Sequence, residues 1–311
     1  MDKLKELAKE LDSKDKLNKF KSEFIYPDDK LYFDGNSLGL LSKQTKEALK
    51  KVINNEWGQN LISSWNNSWI NLPNKVSKKI STILNSNEAE IYVGGSTSLN
   101  LYKLILSLIK SKNSIINIST DNLNFPSDKY ICEGICDDYN LKFNLLEYYN
   151  YLPDVELLEQ FIKNNKGIIV LSLVTYKSSY RYPVKKINRI CQENDSIAIW
   201  DLSHAIGAID IDMKINEIDY AIGCTYKYLN GGPGSPAFIY ARNEKQIGLK
   251  SPIKGWFSHS DPFNFSKTYI QSESMNKFSS GTPHIISMST LDSSLDITIN
   301  ATTKKLENKA V

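Results

Sequence analysis

Leu4, Leu7, Ala8 and Leu11 fall on one face of a helix, so the chain is read as opening on one. Residues 27–42, with Pro27, Gly35 and Gly39, break that period and read as extended, turning chain. Helical spacing returns from Thr45 to Glu56, and again after Pro73, a residue suited to a helix's first turn. From there short apolar runs alternate with helix-period segments. The runs at 91–93, 115–118, 167–174, 197–200, 218–223 and 237–240 are predicted strands; 99–110, 153–164 and 184–194 are predicted helices. This alternation predicts an α/β fold, a mostly parallel sheet sandwiched by helices. After Gly281-Thr282-Pro283 a last helical face begins at Ile286, Met288, Leu291 and Leu295 and continues toward Leu306. Its apolar side needs cover, from the large domain, a second subunit or a further domain.

At 311 residues the chain can bury one large core or two smaller ones. The balance of 38 basic against 35 acidic residues, with lysines scattered throughout, gives no footprint for nucleic acid. No apolar stretch is long enough to span a bilayer, and the mixed-charge start is not that of a secretory signal. Cys132, Cys136, Cys191 and Cys224 form no C-x-x-C pair, and His204, His259 and His284 lie far apart. No metal site is expected, and reduced thiols in a cytoplasmic protein are.

Four segments carry candidate chemistry at the carboxyl ends of predicted strands, where open parallel sheets bind ligands. Ile91 to Ser98 runs from a strand through glycines into a helix. Thr97 and Ser98 there suit a phosphate, or simply cap the helix. Phe125, ahead of Pro126-Ser127-Asp128, could lie flat on a heteroaromatic ring or fill the core. Asp201 ends the run Ile197-Ala198-Ile199-Trp200 and could hold a ring nitrogen or cap a helix, with His204 one turn on. Lys227 follows the strand at 218–223 and precedes Gly231-Gly232-Pro233-Gly234, where backbone can approach a ligand closely. A lysine for an aldehyde and a carboxylate for a pyridinium nitrogen together suggest pyridoxal 5'-phosphate.

The stretches Trp200 to Ala208 and Gly223 to Gly234 resemble kynureninase, as do Phe33-Asp34-Gly35-Asn36-Ser37-Leu38-Gly39-Leu40, Phe125 to Asp128 and Gly255 to Phe263. The resemblance runs from about residue 20 to the last residue. It implies the large-domain fold of aspartate aminotransferase type (fold type I) in a homodimer. It also implies hydrolysis of kynurenine or 3-hydroxykynurenine to anthranilate or its hydroxylated form plus alanine, as in tryptophan degradation and NAD biosynthesis. By resemblance Lys227 binds the cofactor aldehyde, Asp201 meets the ring nitrogen and Phe125 stacks on the ring, within the segment Pro126, Ser127 and Asp128. Thr97, Ser98 and Tyr226 hold the phosphate, Tyr226 aiding proton transfer. Ser172 and His204 line the cofactor, Trp256 and Thr282 reach it across the dimer interface, and Asn36, Ser37 and Trp65 face the substrate.

Family members continue into a small C-terminal domain carrying an arginine for the substrate carboxylate, and Arg181, Arg189 and Arg242 do not match it. Three units are therefore expected. They are an N-terminal helix and extended segment (1–45), a cofactor-binding large domain (46–285) and the start of a truncated C-terminal domain (286–311). A non-catalytic cofactor-binding fragment, a cysteine desulfurase and an aminotransferase are the alternatives.

Overall fold

The computed structural model describes residues 2–112 and 114–310. Seven strands make one sheet: β1 (Ile91–Val93), β2 (Asn117–Asp121), β3 (Lys142–Leu146), β4 (Ile168–Ser172), β5 (Ile197–Asp201), β6 (Tyr220–Gly223) and β7 (Phe238–Ala241). Their order is β1-β7-β6-β5-β4-β2-β3. The pairs from β6 through β5, β4 and β2 to β3 are parallel, while β7 is antiparallel to both β6 and β1. Six carboxyl ends and the amino end of β7 therefore share one edge. The helices are α1 (Asp2–Lys14), α2 (Lys43–Lys51), α3 (Ser64–Asn67), α4 (Leu72–Ile83), α5 (Thr97–Ser111), α6 (Pro126–Tyr139), α7 (Val155–Asn164), α8 (Val184–Glu193), α9 (Ile285–Ala301) and α10 (Thr303–Ala310).

Successive strand residues point to opposite faces, and the core divides accordingly. Ile169, Leu171, Trp200, Ala221, Phe238 and Tyr240 pack in one layer with Val76 and Ile80 of α4, Ile187 of α8 and Leu291 and Leu295 of α9. Ile118, Ile168, Val170, Ile199, Ile222 and Ile239 pack in the other with Leu101, Leu104 and Leu108 of α5 and Cys132 and Ile135 of α6. Strands apolar on both faces are what a sheet covered on both sides requires. Helix α9, whose cover the sequence left open, packs its Met288, Leu291 and Leu295 into the first layer.

Three departures from the sequence reading have physical causes. Strand β2 lies further along than 115–118, because Ser119, Thr120 and Asp121 are polar yet buried and escape an apolar pattern. Thr120 Oγ1 donates to the Val170 carbonyl (2.8 Å) and Ser119 Oγ accepts from Asn144 (3.2 Å), which offsets their burial. The edge strand β3 and helix α6 were not predicted. Both mix charged and apolar residues, and α6 buries only Asp128, Cys132, Ile135 and Cys136. The helix expected over Thr45–Glu56 is α helical only to Lys51 and widens to a π turn at Val52–Trp57. No described helix is long and apolar enough to cross a membrane.

Candidate active site

The shared strand edge opens into a cavity of about 440 Å³, lined by Thr97, Ser98, Phe125, Ser127, Asp128, Asp201, Tyr226 and Lys227 among the residues picked from the sequence. Four parts of the fold supply them. Ser96 caps α5 by accepting from the Leu99 N–H (3.3 Å), which leaves Thr97 and Ser98 on the first turn, facing the cavity. A left-handed Gly95 (φ +63°) makes the bend from β1 into that helix. Phe125 and Asp128 sit at the start of α6, with Pro126 inside its first turn. Asp201 ends β5, and Lys227 lies in the loop after β6.

That loop is held against the N-terminal segment. Gly39 N–H donates to the Tyr226 carbonyl (2.8 Å), and any side chain at Gly39 would overlap the Lys227 carbonyl and Asn230. Asn36 and Ser37 lie in the turn just before this contact and outside the cavity lining. Inside, Lys227 is only 8% exposed, and its Nζ stands 2.6 Å from His204 Nε2 and 5.5 Å from the centre of the Phe125 ring. Burial, then the neighbouring Lys227, depresses the His204 pKa to about 4, so the imidazole is neutral near pH 7 and accepts a hydrogen bond.

Asp201 is buried. Its Oδ1 accepts from the Ser203 N–H (2.9 Å) and hydroxyl (2.6 Å), which fixes the carboxyl plane. Burial raises the Asp201 pKa; burial and then the adjacent Asp201 charge raise that of Asp128 well above the carboxylate range. The Asp201 charge beside Asp128 thus favours the protonated form of Asp128. Asp128 Oδ2 has no hydrogen-bond partner among the described residues. A cationic N–H brought to that orphaned oxygen would satisfy it and favour the ionised carboxylate. The pyridinium nitrogen of pyridoxal phosphate is such a group, and the hydroxyls at the start of α5 suit its phosphate. The residues fit the cofactor.

Tyr226 has its pKa pushed up to about 12, chiefly by burial, and so stays a hydrogen-bond donor through the neutral range. Burial likewise raises the thiol of Cys224, so it is no thiolate nucleophile. Other expected residues lie elsewhere. The Ser172 hydroxyl is given to Asn124 Oδ1 and does not line the cavity, nor does Pro126. Thr282 lines a neighbouring cavity of about 460 Å³ that shares Gly95, Leu99 and His284 with the first. Trp256 joins an aromatic group with Phe257, Phe263 and Phe265, and Trp65 stacks on Phe257 (5.9 Å between centres). Not foreseen were Ser203, Ser235 and His284 in the lining, and Tyr176, whose ring meets Phe125 edge-on at 5.3 Å. Small hydroxyl residues in loops carry no periodic signal. Tyr176, after β4 as Phe125 follows β2, could have been suspected from position.

A mostly parallel sheet with a buried lysine and a buried carboxyl at one strand edge fits a pyridoxal-phosphate enzyme. The chain belongs to the aminotransferase class-V family, matched over residues 31–310. Solved structures agree in fold. A cysteine desulfurase from Escherichia coli superposes with a TM-score of 0.78 at 14% identity, over 94% of this chain and 74% of that one. An apo cysteine desulfurase from Thermococcus onnurineus gives 0.73 at 20% identity, over 91% and 69%. Sequence relatives are more specific. The kynureninase of Deinococcus radiodurans is 33% identical over 300 residues, 92% of this chain and 70% of that protein. That of Pseudomonas fluorescens is 33% identical over 306 residues, 97% of this chain and 73% of that protein. Within class V, the chain belongs to the kynureninases.

Proposed function

We propose that this protein cleaves L-kynurenine, 3-hydroxy-L-kynurenine or both by hydrolysis, giving anthranilate or its hydroxylated form and L-alanine. The observation that supports this most is that Lys227, Asp201 and Asp128 line one cavity, in a chain 33% identical to kynureninases. Lys227 would bind the cofactor aldehyde, Asp201 and Asp128 the ring nitrogen, Phe125 the ring face, and Thr97, Ser98 and Tyr226 the phosphate. When bound, the cofactor supplies an electron sink beside the substrate's α carbon.

The chain's own groups do the rest. In the net reaction water gives its hydroxyl to the side-chain keto carbon and a proton to the β carbon, while the bond between those carbons breaks. Lys227 would take and return the proton at the α carbon, with neutral His204 accepting a hydrogen bond from its amine. Tyr226 keeps its proton and donates to negative charge. The buried carboxyls of Asp201 and Asp128 would stabilise positive charge on the ring nitrogen, in a place largely shielded from water.

A cysteine desulfurase needs a thiol that can leave the surface to collect sulfur. Cys132, Cys136, Cys191 and Cys224 are all buried, which favours the kynureninase reading. The protein is proposed to be a cytoplasmic homodimer in which Trp256 and Thr282 reach the partner's cofactor. Unpaired cysteines and the exposed Phe33 and Ile62 support that proposal. The reading is tested by loading the protein with pyridoxal phosphate, adding L-kynurenine, and following anthranilate fluorescence, with L-cysteine and sulfide detection in parallel. Anthranilate without sulfide is expected; sulfide without anthranilate would reverse the assignment.

A further inference from the structure

The turn from β2 into α6 carries Phe125 and Asp128 into the cavity, yet α6 has no side-chain cap hydrogen bond to aim its first turn. Its direction is set one step earlier. Asp121, 2% exposed at the end of β2, accepts at Oδ1 from the N–H groups of Leu123 (2.9 Å) and Asn124 (2.8 Å). At Oδ2 it accepts from the Tyr182 hydroxyl (2.5 Å). Asn124, also buried, donates to Thr120 Oγ1 (3.1 Å) and the Val170 carbonyl (3.4 Å), and accepts from the Phe125 N–H (3.0 Å) and the Ser172 hydroxyl. The segment that supplies Tyr182 also supplies Tyr176, whose ring edge rests on Phe125.

Burying a carboxyl is unfavourable, and here three donors offset it. They gather the one turn that places both the ring-facing aromatic and the second carboxyl of the site. Resting on the cofactor reading above, we infer that Asp121 and Asn124 are positioning residues, which act through the backbone of the 121–125 turn to set the Phe125 ring and Asp128 against the bound cofactor. Tyr182 holds Asp121 in place for that task. Ser172 enters through Asn124 and so contributes to the same device.

The test is titration of the cofactor-free protein with pyridoxal phosphate, followed by visible circular dichroism, for the parent, Asp121→Ala, Asp121→Asn, Asn124→Ala and Tyr182→Phe. Asn124→Ala is expected to weaken cofactor binding by about tenfold, as the loss of a buried hydrogen-bonded group does. It is also expected to change the induced ellipticity per bound cofactor at saturation. Asp121→Asn, which keeps an acceptor at Oδ1, should recover most of what Asp121→Ala loses. A merely structural role lowers the melting temperature but leaves the ellipticity of each bound cofactor as in the parent. An unaltered ellipticity at saturation in both Asn124→Ala and Tyr182→Phe overturns the inference, whatever happens to Asp121→Ala. If the parent itself binds no pyridoxal phosphate, the cofactor reading fails instead, and the two failures are told apart.

Discussion

Lys227 and Asp201 approach one cavity from neighbouring strand ends, and each is useful only because its surroundings are fixed. Lys227→Ala removes the amine that would bind the aldehyde and handle the α proton. Kynurenine turnover is expected to fall by about a thousandfold or more, with the visible absorbance of the lysine-bound cofactor lost. Retained turnover would place the chemistry on another group. His204 makes a prediction in pH. Its folded pKa of about 4 lies below the ordinary 6.5, so above pH 6.5 its contribution to stability is fully present. As pH falls from 6.5 toward 4 the unfolded chain takes up a proton that the folded chain refuses, and that contribution is lost. In cofactor-free protein the urea midpoint of the parent should therefore drop more across this window than that of His204→Asn. Parallel curves would show that burial does not hold the imidazole neutral.

Both of these side chains were visible in the sequence, because a strand-like run ahead and glycines behind mark Lys227, and an apolar run marks Asp201. Ser203 was not, since a serine two residues past an aspartate gains its role only when its N–H and hydroxyl fold back on Oδ1. The pairing of Asp128 with Asp201 was equally hidden. The two residues are 73 positions apart in the chain and meet only through the sheet.

Among the elements, the turn at 34–39 shows how a site can depend on a segment outside it. Gly39 lies against the backbone of Lys227 with no room for a methyl group. Gly39→Ala is expected to destabilise the fold by about 1–3 kcal/mol through overpacking, and to weaken cofactor retention by displacing the lysine loop. Chemical denaturation and cofactor titration of the variant check both parts. Helix α9 makes the opposite case. Leu295 is fully buried in the layer shared with α4 and the sheet, and Leu295→Ala should cost about 2–5 kcal/mol in denaturant unfolding. A loss below 1 kcal/mol on that ~2–5 scale would mean that α9 is only loosely attached. The strands that divide these layers could be read in β4 to β7 as short apolar runs, since nearly every residue there is apolar. It failed in β2, where Ser119, Thr120 and Asp121 bury hydrogen-bonded polar groups that no hydropathy pattern reports.

Taken whole, the molecule is a class-V fold whose parallel sheet gathers its chemistry at one edge, as the alternation of strands and helices predicted. What alternation alone could not give is the reaction. That came from a few motifs, and their meaning lies in contacts between segments far apart in the chain. The most direct test is a product balance. Protein saturated with pyridoxal phosphate is mixed with L-kynurenine, and anthranilate and alanine are quantified together, with Lys227→Ala as the control. Equal amounts of the two products, absent from the control, are expected. A bound cofactor with neither product formed, or alanine appearing without anthranilate, would contradict the assignment.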